Sequence, residues 1–163
     1  MSALVRHLAA YGAYHRDRRN IATHMVGVPM IVFAVVTLLS RPALTLAPEA
    51  TITPAMLLAA AAALFYLWLD LRFGMILAAM LAATTWAGLA CAAQPSAQWL
   101  AVGTGTFAAG WAIQFLGHAF EGRKPAFLDD LSGLIVAPLF LVAEMAFLLG
   151  LRRELGAALS DRT

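Results

Sequence analysis

The chain has 163 residues, 62% of them hydrophobic and only 12% charged, with a formal net charge of +2. Soluble domains run about 45–50% apolar and about 25% charged, and a chain this short has no room to hide so much apolar surface in a core of its own. That balance excludes an ordinary soluble domain, and the small charge without a long basic patch speaks against a nucleic-acid partner.

Residues 1–24 are polar and carry Arg6, Arg16, Arg18 and Arg19. They lack the short apolar stretch and small-residue cleavage site of a signal peptide. A basic interfacial lead-in is expected there, with Leu4, Leu8, Tyr11 and His15 on one helical face. The first span is expected over 25–39, with Gly27 and Pro29 at its start. Arg41, Pro42 and Pro48 mark a loop. The second span is expected over 54–69, with Pro54 suited to a first helical turn. Asp70, Arg72 and Gly74 make a tight connection. From 73 to 117 there is no Asp, Glu, Lys or Arg. That is long enough for two spans of about 20 residues each, at 75–93 and 97–117, around a turn at Gln94-Pro95-Ser96. A polar loop covers 118–130, and Asp129 and Asp130 suit the start of the last apolar segment, 131–151. Lipid offers backbone groups no partner, so spans are helices or closed barrels, and these runs show no period-2 alternation. The lone Cys91 lies inside a span, as a buried small hydrophobe.

The fold class expected is all-α: a multi-pass transmembrane helical bundle of four spans plus a fifth apolar segment broken at Pro138. It forms one domain over 1–163, with a lead-in (1–24), a bundle (25–151) and a polar tail (152–163). The N-terminal arginines put that end in the cytoplasm. The uncharged 94–96 turn then lies outside and the loop with Arg123 and Lys124 inside. A break at Pro138 keeps Arg152 and Arg153 inside, whereas five full spans put them outside. Both plans place His15, His24 and His118 on the same side. Ten Arg against one Lys in an Ala-rich chain point to a GC-rich genome, hence a bacterial inner membrane with these residues facing the cytoplasm.

Four histidines are present, and none lies deep in a span. Imidazole is the commonest side-chain metal ligand and suits Fe, Zn and Cu, although interfacial histidines also occur with no ligand. His15 and His24 are nine apart, about 180° around a continuous helix. They share a site only if the chain breaks near 17–20. Asn20, four before His24, either orients that ring or caps a helix. His118 and Glu121 share a helical face, a spacing similar to the Glu-x-x-His pairs of di-iron bundles in reversed order; a solvated Glu121 at a helix end is the plainer alternative. Glu144 lies amid apolar residues, where an ionisable group is a functional candidate. Three roles stay open for it: metal ligand, partner of a ligand histidine, or partner of an arginine.

Three ordered motifs carry a family resemblance. The first is Tyr14-His15, Asn20, His24 and Gly27-x-Pro29. The second is Gln114-Phe115-x-Gly117-His118-x-Phe120-Glu121-x-Arg123-x-Pro125-Ala126. The third is Ala137-Pro138 followed by Glu144. Over about 11–150 the chain resembles the 2-hydroxy fatty acid dioxygenase family, which includes a yeast endoplasmic-reticulum enzyme of α-oxidation and bacterial relatives. Ser132-Gly133 departs from the pattern, which has larger residues there. His7 matches no motif.

The resemblance implies an Fe(II)-dependent enzyme that uses O2 to shorten long-chain 2-hydroxy fatty acids by one carbon. It implies His15, His24 and His118 as iron ligands, with Glu121 also at the catalytic site. Three imidazoles leave positions open on an octahedral iron for a hydroxy acid and O2. Arg123 or Lys124 is expected to receive the carboxylate, with Asn20 and Glu144 behind the ligands and the acyl chain among the spans. The rivals are a small transporter with Glu144 as relay and a non-catalytic membrane protein with a structural metal site. Transport sites lie near the midplane, unlike these histidines. Membrane hydroxylases and desaturases resemble eight-histidine clusters, and this chain has four.

Overall fold

A computed structural model describes residues 2–47, 50–122 and 132–160. Among them the chain forms seven helices and one small hairpin. The lead-in is not continuous with the first span. Helix α1 (Ala3–Gly12) is capped by Ser2, whose hydroxyl accepts from Val5 N. It buries Leu4, Leu8 and Tyr11, the face its spacing marked. The chain turns through 13–17 and restarts as α2 (Arg18–Leu39), with Asp17 as N-cap. The break thus comes a few residues earlier than 17–20, and the cap is Asp17 rather than Asn20. The first membrane helix begins at Arg18, seven residues before the expected start at 25.

A hairpin of β1 (Leu44–Ala47) and β2 (Ala50–Ile52) replaces the plain loop expected after α2. Thr53 and Pro54 start α3 (Pro54–Leu69). Asp70 ends α3 and caps α4 (Leu71–Ala92), its Oδ1 accepting from Arg72 N and Phe73 N at 3.0 Å each. Gly74 makes this turn sterically feasible, since a Cβ there would lie 2.5 Å from Leu67 Cα. After the 93–95 turn comes α5 (Ser96–Glu121), closed by Gly122 in the left-handed region at φ 67°. That conformation costs glycine little.

Three helices, α2, α4 and α5, are long and apolar enough to cross a membrane. At 16 residues, α3 is about 24 Å long, short of the roughly 30 Å hydrocarbon core. Trp68, Trp86 and Leu64 are 72%, 75% and 68% exposed, surfaces that suit lipid rather than water. This is a membrane protein built as a helical bundle.

The close pair is α2 with α5, which run antiparallel. Gly27 and Gly110 face each other: a Cβ on Gly27 would lie 3.0 Å from Gly110 O, and one on Gly110 3.1 Å from Gly27 O. Small residues let membrane helices approach, since lipid gives apolar side chains no reason to prefer a helix neighbour. At the far end of the pair, Trp99 Nε1 donates to Thr37 O at 2.9 Å.

The final apolar segment differs in detail from the expectation. Helix α6 (Ser132–Leu148) runs through Pro138 without breaking. The bend comes later, where α6 and α7 (Arg153–Ser160) meet at 115°. Gly150 and Arg152 both have positive φ there. Pro138 removes one helix donor, and flanking residues of the buried face (Val136, Ala137, Leu139, Phe140) hold the helix together by packing. Near the start of α6, Ile135 O accepts from Tyr66 Oη at 2.7 Å. After its end, Arg152 pairs with Asp70 at 2.7 Å. Both ends of α6 are therefore tied to the same end of α3. Asp129 and Asp130 lie outside the described residues.

The Asp70–Arg152 pair carries a pH dependence. Burial raises the Asp70 carboxyl, but hydrogen bonds from Arg152 and from Phe73 N and Arg72 N outweigh it, so the group titrates below its ordinary range. Its stabilising contribution is full above the unfolded value of about 4 and is lost as pH falls through the lower folded value. In detergent, the thermal midpoint is expected to fall below about pH 4, and Asp70→Asn is expected to flatten that fall while lowering the midpoint at pH 7.

Candidate metal centre

His15, His24 and His118 come from three places. His15 sits in the turn between α1 and α2, His24 two turns into α2, and His118 at the end of α5. The antiparallel pairing of α2 with α5 and the turn at 13–17 bring them together. All three are buried, and one ring nitrogen from each lies within 4.8 Å of the others. Ring centroids are 4.5 Å apart for His15–His24, 5.0 Å for His24–His118 and 5.2 Å for His15–His118.

Hydrogen bonds fix the tautomers of two rings. His15 Nδ1 lies 2.9 Å from Tyr11 O, and His24 Nδ1 lies 2.9 Å from Asn20 O. A carbonyl only accepts, so each Nδ1 carries the proton and each Nε2 a lone pair. Those two Nε2 atoms face each other at 3.1 Å. Two lone pairs at this distance repel unless a proton or a cation lies between them. Burial lowers the His15 basicity, against the opposing pull of the Tyr11 carbonyl and Glu121, so a shared proton is disfavoured. Two nitrogens bound at right angles to one ion at about 2.1 Å stand about 3 Å apart. His118 Nδ1 is buried and has no hydrogen-bond partner among the described residues. The donor set fits a metal ion that accepts imidazole. Backbone carbonyls on Nδ1–H are the usual outer support of such ligands.

Glu121 has a different place. Its Oε1 accepts from Arg16 N at 2.9 Å, and its Oε2 accepts from Asp17 N and Asn20 Nδ2, both at 2.9 Å. It clasps the 13–17 turn and the start of α2 to the end of α5. Gly117 permits the approach: a Cβ there would overlap Thr23 Oγ1 and come within 2.5 Å of Asn20 Oδ1. Asn20 therefore supports the centre twice, through its carbonyl on His24 and its carboxamide on Glu121.

A cavity of about 660 Å³ opens on the three imidazoles and runs between α2, α3, α5 and α6. Val28, Val36, Ala62, Phe107 and Trp111 form part of its wall. Along α2 it reaches from His24 to Val36, about 18 Å at 1.5 Å per residue. A mostly apolar cavity with a few polar groups is the general form of a small-molecule site.

A family model described as 2-hydroxy-palmitic acid dioxygenase Mpo1-like matches residues 1–149. The chain belongs to the Mpo1-like family. It is 31% identical over 154 residues to the 2-hydroxy-palmitic acid dioxygenase MPO1 of Saccharomyces cerevisiae, covering 93% of this chain and 84% of that protein. No solved structure matches it.

In this Mpo1-like chain Glu144 is not among the residues that line the cavity. Arg123 and Lys124 lie outside the described residues. Glu144 is half-buried on α6 and makes no hydrogen bond or ion pair with a described residue; Arg152, the arginine nearest to it in the sequence, pairs with Asp70. His7 stands apart, edge-on to Phe65 with centroids 6.0 Å apart. Gly133, the departure from the family pattern, is buried and lines the cavity. Two further residues join the centre. Tyr11 stacks on His15 with centroids 4.1 Å apart and planes 6° from parallel, and its i, i+4 spacing to His15 was the available signal. Gln114 lines the cavity one turn before His118; it stood in the second motif without a role.

Proposed function

We propose that this protein is an Fe(II)-dependent dioxygenase that shortens long-chain 2-hydroxy fatty acids by one carbon. The observation that carries the reading is the union of the three-imidazole cluster with a long apolar cavity, in a chain of the Mpo1-like family. His15, His24 and His118 hold the ion, and Tyr11 O and Asn20 O keep the first two rings in the ligating tautomer. Bound ferrous iron supplies the O2 chemistry that side chains lack. The apolar wall takes the acyl tail and excludes water, while Glu121 positions His15 and His24 through the backbone rather than by touching substrate. Arg123 and Lys124 are proposed to meet the carboxylate, and Glu144 to lie behind the site. The Arg-over-Lys, Ala-rich composition favours a bacterial inner membrane, and the N-terminal arginines favour this end of the bundle facing the cytoplasm.

The balance needs no external reductant. One 2-hydroxy acid and one O2 give the acid one carbon shorter, carbon dioxide and water; the two carbons together lose four electrons, which O2 accepts. A structural metal site is the second reading, but structural sites are closed by protein ligands, and here the imidazoles face the cavity. Incubation of the iron-loaded protein with 2-hydroxypalmitate under air is expected to yield the 15-carbon acid with O2 consumed one for one. Unchanged substrate, or an even-chain product, overturns the proposal.

A further inference from the structure

Gln114 is a polar residue buried where hydrocarbon is expected. It is 5% exposed and lines the same cavity as the three imidazoles. Its Oε1 is buried and has no hydrogen-bond partner among the described residues. The nitrogen end of the carboxamide packs on α2, where a Cβ added to Gly27 would lie 3.1 Å from Nε2. The absence of a side chain at Gly27 thus gives the amide its berth. A buried amide oxygen with no donor is costly to keep, and its place in this wall calls for a donor that comes with the ligand. On the reading above, that ligand is a 2-hydroxy fatty acid. Its tail donates nothing, and its carboxylate at neutral pH only accepts. The 2-hydroxyl is its sole donor.

We propose that Gln114 recognises the 2-hydroxyl of the substrate, the O–H donating to Oε1 and holding the hydroxyl-bearing carbon beside the imidazoles. Gln114 is then the residue by which the site tells a 2-hydroxy acid from an ordinary fatty acid. Buried acceptors built for a substrate hydroxyl penalise analogues that lack it, because the acceptor stays unpaired.

The test is competition of 2-hydroxypalmitate, 2-fluoropalmitate and palmitate against a fluorescent fatty acid on the full-length protein in detergent, with metal content measured in parallel. Fluorine is close to hydroxyl in size but donates no proton. Wild type is expected to favour the 2-hydroxy over the 2-fluoro acid. Gln114→Met is expected to lose about fivefold of that preference, while binding palmitate within about twofold of wild type and keeping its metal. Gln114→Asn, whose oxygen is drawn back by one methylene, is expected to lose the preference likewise, and serves if the methionine variant does not fold. Undiminished preference in the variants, equal binding of the two acids by wild type, or loss of metal from a variant that still binds palmitate overturns the assignment. Failure of all three acids to displace the probe from wild type would instead refute the substrate reading on which it rests.

Discussion

Replacing His24 with alanine is expected to strip the metal and to lower O2-dependent turnover on the order of 100-fold or more. The His24 ring lies against both His15 and His118, with centroids 4.5 and 5.0 Å away. Its Nδ1–H is held by Asn20 O, so its Nε2 lone pair points at His15 before any ion binds. Gln114, a polar neighbour in the cavity wall, offers an amide oxygen and not an imidazole nitrogen in its place. His7→Ala is the matched control. It removes an imidazole of the same chain that touches Phe65 and not the cluster, and it is expected to leave metal content and turnover unchanged. Metal analysis and O2 uptake on both variants check the pair. Equal loss in the two would mean that turnover does not depend on this cluster.

Glu121→Ala is expected to weaken metal binding about 10- to 100-fold without touching the metal. Removing the carboxylate leaves Arg16 N, Asp17 N and Asn20 Nδ2 without the acceptor they share. Hydrogen bonds to charged groups contribute about 1.5–3 kcal/mol each when buried; these are exposed or part-buried, so a total loss of about 2 kcal/mol is expected. The 13–17 turn then loosens, and His15, which depends on that turn, is the ligand displaced. Helicity should survive, because each helix keeps its own packing. Glu121→Gln retains a single acceptor oxygen and is expected to fall between wild type and Glu121→Ala. Metal titration followed by circular dichroism separates loss of affinity from loss of fold. Unchanged affinity in Glu121→Ala would contradict the clasp.

The bundle was legible in the sequence because charge-free runs of spanning length leave few alternatives. The buried faces were not, and α5 shows the reason. Its buried residues are Gly103, Gly110, Gln114, Gly117 and His118, while Phe115 and Leu116 are each 52% exposed. In lipid the large apolar residues face outward and the small or polar ones face in, so hydrophobic periodicity points to the wrong side. The break between His15 and His24 was readable as a requirement, since nine residues on one helix put them on opposite sides. Its position was not, because Asp17 and Asn20 both suit a cap, and their roles separate only in the fold, where the Asp17 carboxylate accepts from Arg19 N and the Asn20 carboxamide donates to Glu121. The His118–Glu121 spacing marked a shared face, but one residue turns to the cluster and the other to the backbone of 16–17. Pro138 looked like a break, and tertiary packing carries α6 past it to Leu148.

His15, His24 and His118 are proposed to hold iron for catalysis. The most direct measurement is metal analysis of the anaerobically purified protein, followed by O2 uptake on addition of 2-hydroxypalmitate. About one iron per chain, with uptake that vanishes on chelation and returns with ferrous iron, is the predicted result. Zinc without iron, and no substrate-dependent uptake, would contradict it.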